Sequence, residues 1–327
     1  MADIYIVEDY ACLSKKGDKL NISKNKENMG SVPFHKVDSI HAFGNVQFST
    51  QLLHELLNKN INLSLYTHSG NYIGQLISPT SKNIDLRFMQ YKQYENEEFR
   101  LAIGKALIAQ KFEASIRLLE DNVKNSETLS LKDELKQLRK WRKKLETAKD
   151  IPGLLGLEGS FARIYFECFG KLFKQENIFQ GRSKKPPKDL GNSLLSFLYV
   201  VLTNRISSYL EGQGFEPFIG FLHARKYGRI SLACDIIEPL RPAFCDRLVL
   251  KAFNLKTVSE EDFEKKEEGF YLNPEAKKAF LKLYSTELFE ERQYLFHKGT
   301  IQDILIYFSD WLKTCLEKGE VIALSGK

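Results

Sequence analysis

Up to about residue 80, apolar and polar positions alternate in short runs. Ile4–Val7, Lys19–Ser23, Ser39–Phe43, Ile61–Tyr66 and Tyr72–Ile77 read as strands, separated by turn signals at Gly17, Asn28–Gly30 and Ser69–Gly70. One helix is predicted inside this stretch, from a Ser49 cap through Gln51–Leu57. After Pro79 the period changes. From Arg87 to Leu119, residues Phe88, Tyr91, Phe99, Ala102, Ile103, Ala106 and Leu107 recur every three to four positions, the pattern of a helix with one buried face. Leu131–Leu145 reads as a second, charged helix. Ser193–Leu210 reads as a third, mostly apolar, capped by Asn192 or Ser193. Further helices fit Phe244–Phe253, Asn273–Leu283 and Thr300–Leu316, and no comparable strand pattern follows residue 90. The predicted class is α+β: a small β-rich N-terminal domain over residues 1–85, then a larger all-α domain over 86–327.

A length of 327 residues agrees with two domains. Hydrophobic residues make up 43% and charged residues 28%, which excludes a disordered or collagen-like chain. The longest strictly apolar stretch, around Leu198–Leu202, is far short of the roughly 20 residues a membrane span needs. Acids stand near the N-terminus where a signal peptide would be basic, so a cytoplasmic protein with no membrane partner is expected. The five cysteines are odd in number and show no Cys-x-x-Cys spacing, which argues against a disulfide framework and a zinc knuckle.

A net charge of +6 leans toward polyanionic partners, and its distribution sharpens the lean. Eight Lys or Arg residues lie between Lys132 and Lys149, where a solvated helix face is the competing explanation. Arg182, Lys184, Lys185 and Lys188 share a proline-containing loop, and Arg225, Lys226 and Arg229 closely follow a histidine. There is no Gly-x-Gly-x-x-Gly after a strand, no phosphate-binding Gly-Lys-Ser/Thr loop and no Gly-x-Ser-x-Gly elbow. Nucleotide hydrolysis and serine-hydrolase chemistry therefore have no local support.

Two constellations remain. Glu158 stands next to Gly159 at the head of an apolar helical pattern, where a buried carboxylate needs a partner or a metal. A helix-dipole-stabilised surface acid is the alternative. Further on, His223 precedes Ser231-Leu-Ala-Cys-Asp-Ile-Ile-Glu238, in which Asp235 and Glu238 are three apart and would share a helical face among apolar neighbours. Histidine with two such acids makes a mixed nitrogen and oxygen site suited to Mn²⁺ or Mg²⁺. Zinc is chemically possible but usually takes more histidine or thiolate.

The string Glu158-Gly-Ser-Phe-Ala-Arg-Ile-Tyr-Phe166 resembles the glutamate motif of the CRISPR-associated spacer integrase family, the metal-dependent endonuclease/integrase of the adaptation module. The segment from Phe179 to Tyr199 is similar to that family's Gly-Arg…Pro-Pro…Asn-x-Leu-Leu-Ser run. Gly220-Phe-Leu-His223 and Asp235-Ile-Ile-Glu238 resemble its histidine and acidic motifs, with Asp246 trailing. The family often carries a further acid directly after Asp-x-x-Glu; Pro239 stands there here. The resemblance covers most of the chain. It implies a β-rich dimerisation domain and a helical catalytic domain, with Glu158, His223 and Glu238 on Mg²⁺ or Mn²⁺ and Asp235 beside them.

The implied activity is insertion of short foreign DNA into a CRISPR array by 3′-hydroxyl attack on a phosphodiester. Arg163, Arg182, Lys184, Lys185, Asn192, Arg225, Lys226, Arg229 and Arg241 are candidate phosphate contacts. Expected partners are double-stranded DNA, a second copy of the chain and a small ferredoxin-like CRISPR-associated protein. The competing readings are a structure-selective repair nuclease acting on branched DNA and a non-enzymatic DNA-binding scaffold. A small-molecule phosphohydrolase comes third, and the basic segments argue against it.

Overall fold

The computed structural model describes residues 2–68, 70, 72–76, 78, 84–184, 186–266, 269–294 and 297–324. Lys185 lies outside the described residues, as do Pro79 and the ends of some expected elements, including Ile77 and Ser69.

The chain opens with strands β1 (Ala2–Ile6), β2 (Cys12–Lys16), β3 (Lys19–Lys24), β4 (Glu27–Pro33), β5 (Val37–Phe43) and β6 (Gln47–Phe48). Helix α1 (Thr50–Asn58), β7 (Asn62–Tyr66) and β8 (Tyr72–Leu76) follow. One sheet has the order β1-β5-β7-β8, parallel across β1, β5 and β7 and antiparallel at β8. The second has the order β4-β3-β2-β6. Gly17, with φ of +60°, makes the tight turn between β2 and β3. The Ser49 hydroxyl accepts from the Leu52 amide at 3.3 Å, the expected cap of α1. Leu52 and Leu56 then pack with Leu13, Leu20, Ile40 and Leu63 in a small core. Strands β2 and β4 escaped the sequence pattern because their exposed Lys, Glu and Asn residues leave little alternation to read.

The predicted helix over Arg87–Leu119 is two helices. α2 (Ile84–Tyr94) ends before Asn96, whose side chain accepts from the Phe99 amide at 3.1 Å and starts α3 (Glu97–Lys124). An Asn cap stops one helix and nucleates the next without breaking the apolar period. Against α3 pack α4 (Lys132–Lys144) and α5 (Ile151–Gly170), with Phe112 stacked on Phe161 at 3.6 Å. α6 (Leu190–Gly212) starts three residues earlier than expected, because Asp189 is its cap and accepts from the Asn192 amide. The expected Phe244–Phe253 helix divides into a π-helical turn, Arg241–Asp246, and α8 (Arg247–Asn254), preceded by α7 (Ser231–Ile236).

The helical region is not all-α. Two short hairpins, β9 (Phe263–Lys266) with β10 (Gly269–Leu272) and β11 (Arg292–Gln293) with β12 (Lys298–Gly299), flank α9 (Pro274–Phe289) before α10 (Ile301–Lys318). They are too short and too charged to show a two-residue period.

The β-rich region rests on α6. Arg205 forms a buried ion pair with Asp3 of β1 and reaches Asp38 at 3.5 Å. The Ser39 hydroxyl donates to Asp3 at 2.6 Å, and His41 stacks on Tyr5 at 4.8 Å. Phe43 and Tyr66 join the large helical core, where Phe43 meets Phe197. Among the described residues, no helix is long and apolar enough to cross a membrane.

Candidate active site

Three segments distant in sequence meet beside α3. Glu158 projects from the second turn of α5, a helix started by Asp150, whose carboxylate accepts from the Gly153 amide at 2.7 Å. His223 sits in the irregular segment between α6 and α7. Asp235 lies in α7, and Glu238 in the turn between α7 and the π-helical turn. Pro239 falls in that turn, where no helical hydrogen bond is lost.

Asp235 does not face the acids. It is fully buried and its carboxylate is consumed by the Gly220–His223 segment. One oxygen accepts from the amides of Phe221 at 2.5 Å and Leu222 at 3.0 Å. The other accepts from the His223 amide at 2.9 Å and from His223 Nδ1 at 2.7 Å. Gly220 permits this closeness, since a Cβ there would come within 2.6–2.7 Å of the Ser231 backbone and the Asp235 carboxylate. With Nδ1 committed to that carboxylate, Nε2 is the ring nitrogen left to face the site. That nitrogen faces Glu238, 3.9 Å from Oε1.

Glu238 is buried and ringed by cations. Arg241 reaches its Oε1 at 3.2 Å and Lys111 its Oε2 at 2.7 Å. Burial pushes this carboxyl up, but Arg241, Lys111 and His223 outweigh burial and hold it at about 2. Lys111 Nζ also lies 2.5 Å from Glu158 Oε1. Burial opposes its charge, and Glu238 and Glu158 overcome that and raise it above the usual lysine range. As the side chains stand, among the described residues no three His, Cys, Asp or Glu residues form a ready-made metal cage. The ammonium of Lys111 stands between the two carboxylates instead.

Sequence reading did not single out Lys111. The signal was present: Ile103, Leu107 and Lys111 follow one another at four-residue spacing on the buried stripe of α3, and a lysine there requires an acidic partner.

Next to the acids opens a cleft of about 500 Å³, whose lining includes Glu158, Arg163, Arg182, Lys184, Tyr199 and Asp246. Arg182 and Arg241 lie over the Tyr199 ring at 5.4 and 4.6 Å. Asp246 is buried beneath it and accepts from the hydroxyls of Tyr165 at 2.6 Å and Tyr199 at 2.5 Å. Burial raises this carboxyl to about 6 against the pull of those hydrogen bonds and of Arg182 and Arg241.

Of the expected phosphate contacts, Arg163 and Lys184 are exposed at the cleft, and Arg225 and Lys226 are exposed on the loop after His223. Arg229 is half-buried. Arg241 is engaged with Glu238. Asn192 is placed in the interior rather than at the surface. Its amide group donates to Gly181 O and Asp189, and its oxygen accepts from Arg182 and the Ser183 amide, so no polar atom is left for a phosphate.

Known proteins resemble this chain in sequence and fold. The chain is 33% identical over 304 residues to a protein of Rhodospirillum rubrum named CRISPR-associated endonuclease Cas1 2, across 90% of this chain and 88% of that one. It superposes on the structure of a Cas1 protein from Thermotoga maritima with a TM-score of 0.83 and 26% identity, over 99% of both chains. It also shares its fold with a casposase bound to an integration product, with a TM-score of 0.84 at 22% identity, over 99% of this chain and 92% of that one. The family described as CRISPR associated protein Cas1 matches residues 4–286, which takes in β2 to β10, the cleft, Glu158, His223, Asp235 and Glu238. The chain belongs to the Cas1 family.

Proposed function

We propose that the protein is a divalent-metal-dependent DNA strand-transfer enzyme that inserts short foreign fragments into a CRISPR array, for antiviral defence. One observation carries the reading: Glu158 and Glu238, from separate segments, flank the cation that Lys111 places between them, and His223 Nε2 faces Glu238 from a third segment. Two carboxylates and one imidazole are a donor set for Mg²⁺ or Mn²⁺, and the ammonium between the acids is a natural stand-in for that ion. Glu158, His223 and Glu238 would hold the metal, which supplies Lewis-acid polarisation of a phosphoryl oxygen and neutralises developing charge.

The remaining work falls to the chain's own residues. Asp235 fixes the His223 ring so that Nε2 points into the site. Arg241 keeps Glu238 ionised. Arg163, Arg182 and Lys184 hold phosphates along the cleft and position the strand without reading its sequence, and Arg225, Lys226 and Arg229 extend the basic surface beyond His223. In the reaction, the 3′-oxygen of the incoming strand bonds to a target phosphorus and gives up its proton. The target's own 3′-oxygen leaves and takes a proton up, so one phosphodiester replaces another. Water in place of the hydroxyl gives endonuclease cleavage.

Self-association draws support from Ile73 on the edge strand β8 and from Ile84 and Phe88 on α2, each more than half exposed. Double-stranded DNA and a small ferredoxin-like CRISPR-associated protein complete the expected assembly.

The test is joining of a fragment with free 3′-hydroxyls to a repeat-bearing plasmid in Mn²⁺. Wild-type protein yields joined products. Glu158→Ala and His223→Ala lose at least a hundredfold in joining while keeping duplex binding and melting temperature. Cutting without joining would instead identify a branched-DNA nuclease. DNA binding with no product in any metal would identify a scaffold.

A further inference from the structure

Lys111 reaches the site from the buried stripe of α3, with its side chain only 12% exposed. Its Nζ bridges two carboxylates from different elements, Glu158 on α5 at 2.5 Å and Glu238 beyond α7 at 2.7 Å. Arg241 holds the opposite oxygen of Glu238, so it does not compete for the bridging position. The contact to Glu238 Oε2 lacks hydrogen-bond alignment, and that buried oxygen has no other hydrogen-bond partner. Lys111 is therefore attracted there by charge more than by directional bonding, and an ion with stricter demands on oxygen geometry would use the position better.

We propose that Lys111 is the resting counter-ion of the site. Its ammonium occupies the place between Glu158 and Glu238 that a divalent cation takes, and loading exchanges the one for the other. The inference rests on the metal reading given above. Without an internal cation, two carboxylates would face each other in a partly desolvated cleft, and the metal-free fold would carry that repulsion. With it, the apo protein stays intact, and the metal binds more weakly than its ligands alone would dictate because it must displace a paired charge. The displaced ammonium remains at the cleft that Lys111 lines, available to a DNA phosphate.

The experiment measures Mn²⁺ binding to the full chain from the signal of free Mn²⁺ in electron paramagnetic resonance, together with melting temperature, and reads no catalysis. In Lys111→Met, the metal-free melting temperature falls by several degrees. The dissociation constant for Mn²⁺ falls at least tenfold, and saturating Mn²⁺ restores most of the lost melting temperature. Lys111→Arg, which keeps the charge, melts near wild type and binds Mn²⁺ no more tightly. Lys111→Gln serves as the charge-free variant if the methionine form does not fold. A folded, charge-free variant whose Mn²⁺ affinity is unchanged or weaker overturns the counter-ion role, since a merely structural lysine gives that result. Adding Glu158→Gln to Lys111→Met abolishes the tightened binding. If neither wild type nor Lys111→Met binds Mn²⁺, the metal reading fails and the counter-ion role falls with it.

Discussion

Asp235 illustrates how an acid can shape the proposed metal site without facing it. Four donors converge on its two oxygens, three of them backbone amides in a segment that no regular element supports. Replacing it by Asn turns an acceptor into a donor against those amides. The expected cost is on the order of 2–4 kcal/mol, from buried donors left without partners. His223 would also lose the group that fixes its tautomer, so joining activity should fall further than the loss of folded protein explains. Urea unfolding alongside single-turnover joining checks both, and an Asn variant with wild-type stability and activity would free Asp235 from this role. The sequence placed Asp235 and Glu238 on one helical face. They separate because α7 ends at Ile236, and the turn sends Glu238 toward α3 while Asp235 faces back to Gly220. Residue types and spacing revealed the acids and the histidine. They did not reveal Lys111 as a partner, because that pairing joins residues 47 positions apart.

At the scale of elements, the start of α6 governs the basic loop before it. Asp189 caps the helix and also accepts from the Gln180 amide at 3.1 Å, and Asn192 ties Gly181, Arg182 and Ser183 to the first turn. One buried amide therefore sets where Arg182 and Lys184 stand relative to the cleft. Asn192→Ala should cost about 2–3 kcal/mol and speed hydrogen exchange at residues 181–184. It should weaken duplex binding without changing the slope of log K against log salt. Lys184→Ala should instead reduce that slope by about 0.9, the signature of a lost phosphate contact. An Asn192→Ala variant with wild-type stability and unchanged exchange at residues 181–184 would free Asn192 from this positioning role. Element boundaries moved for the same local reasons throughout. Asn96 splits a continuous apolar period, and Asp189 outcompetes the Asn192 and Ser193 caps that the apolar run suggested.

At the scale of the molecule, the switch from a two-residue to a 3.6-residue period announced strands before helices. What joins them was illegible, because the Asp3–Arg205 pair spans 202 residues and no local pattern encodes it. That junction also holds a buried histidine whose titration opposes that of Asp246. Burial lowers His41 to about 4, with Arg205 adding to the fall and Asp3 opposing it. The unfolded chain therefore binds a proton at this site between about pH 6.5 and 4 that the native state refuses, and stability falls as pH drops through that window. Asp246 has the opposite sign. Raised to about 6, it takes a proton in the native state before the unfolded chain does, so stability rises as pH drops from about 6 to 4. Between pH 6.5 and 4.5 each contributes about 2 kcal/mol, and in the wild type the two offset. Glu238, at about 2, keeps its stabilising charge throughout this range and loses it only in stronger acid. Asp246→Asn should unmask His41 and lose about 2 kcal/mol on acidification to pH 4.5. His41→Gln should unmask Asp246 and gain a similar amount, whatever each substitution does to stability at neutral pH. Urea unfolding free energies of the three proteins at pH 6.5 and 4.5 decide it. Parallel profiles would mean that neither buried group titrates in the native state as its surroundings require.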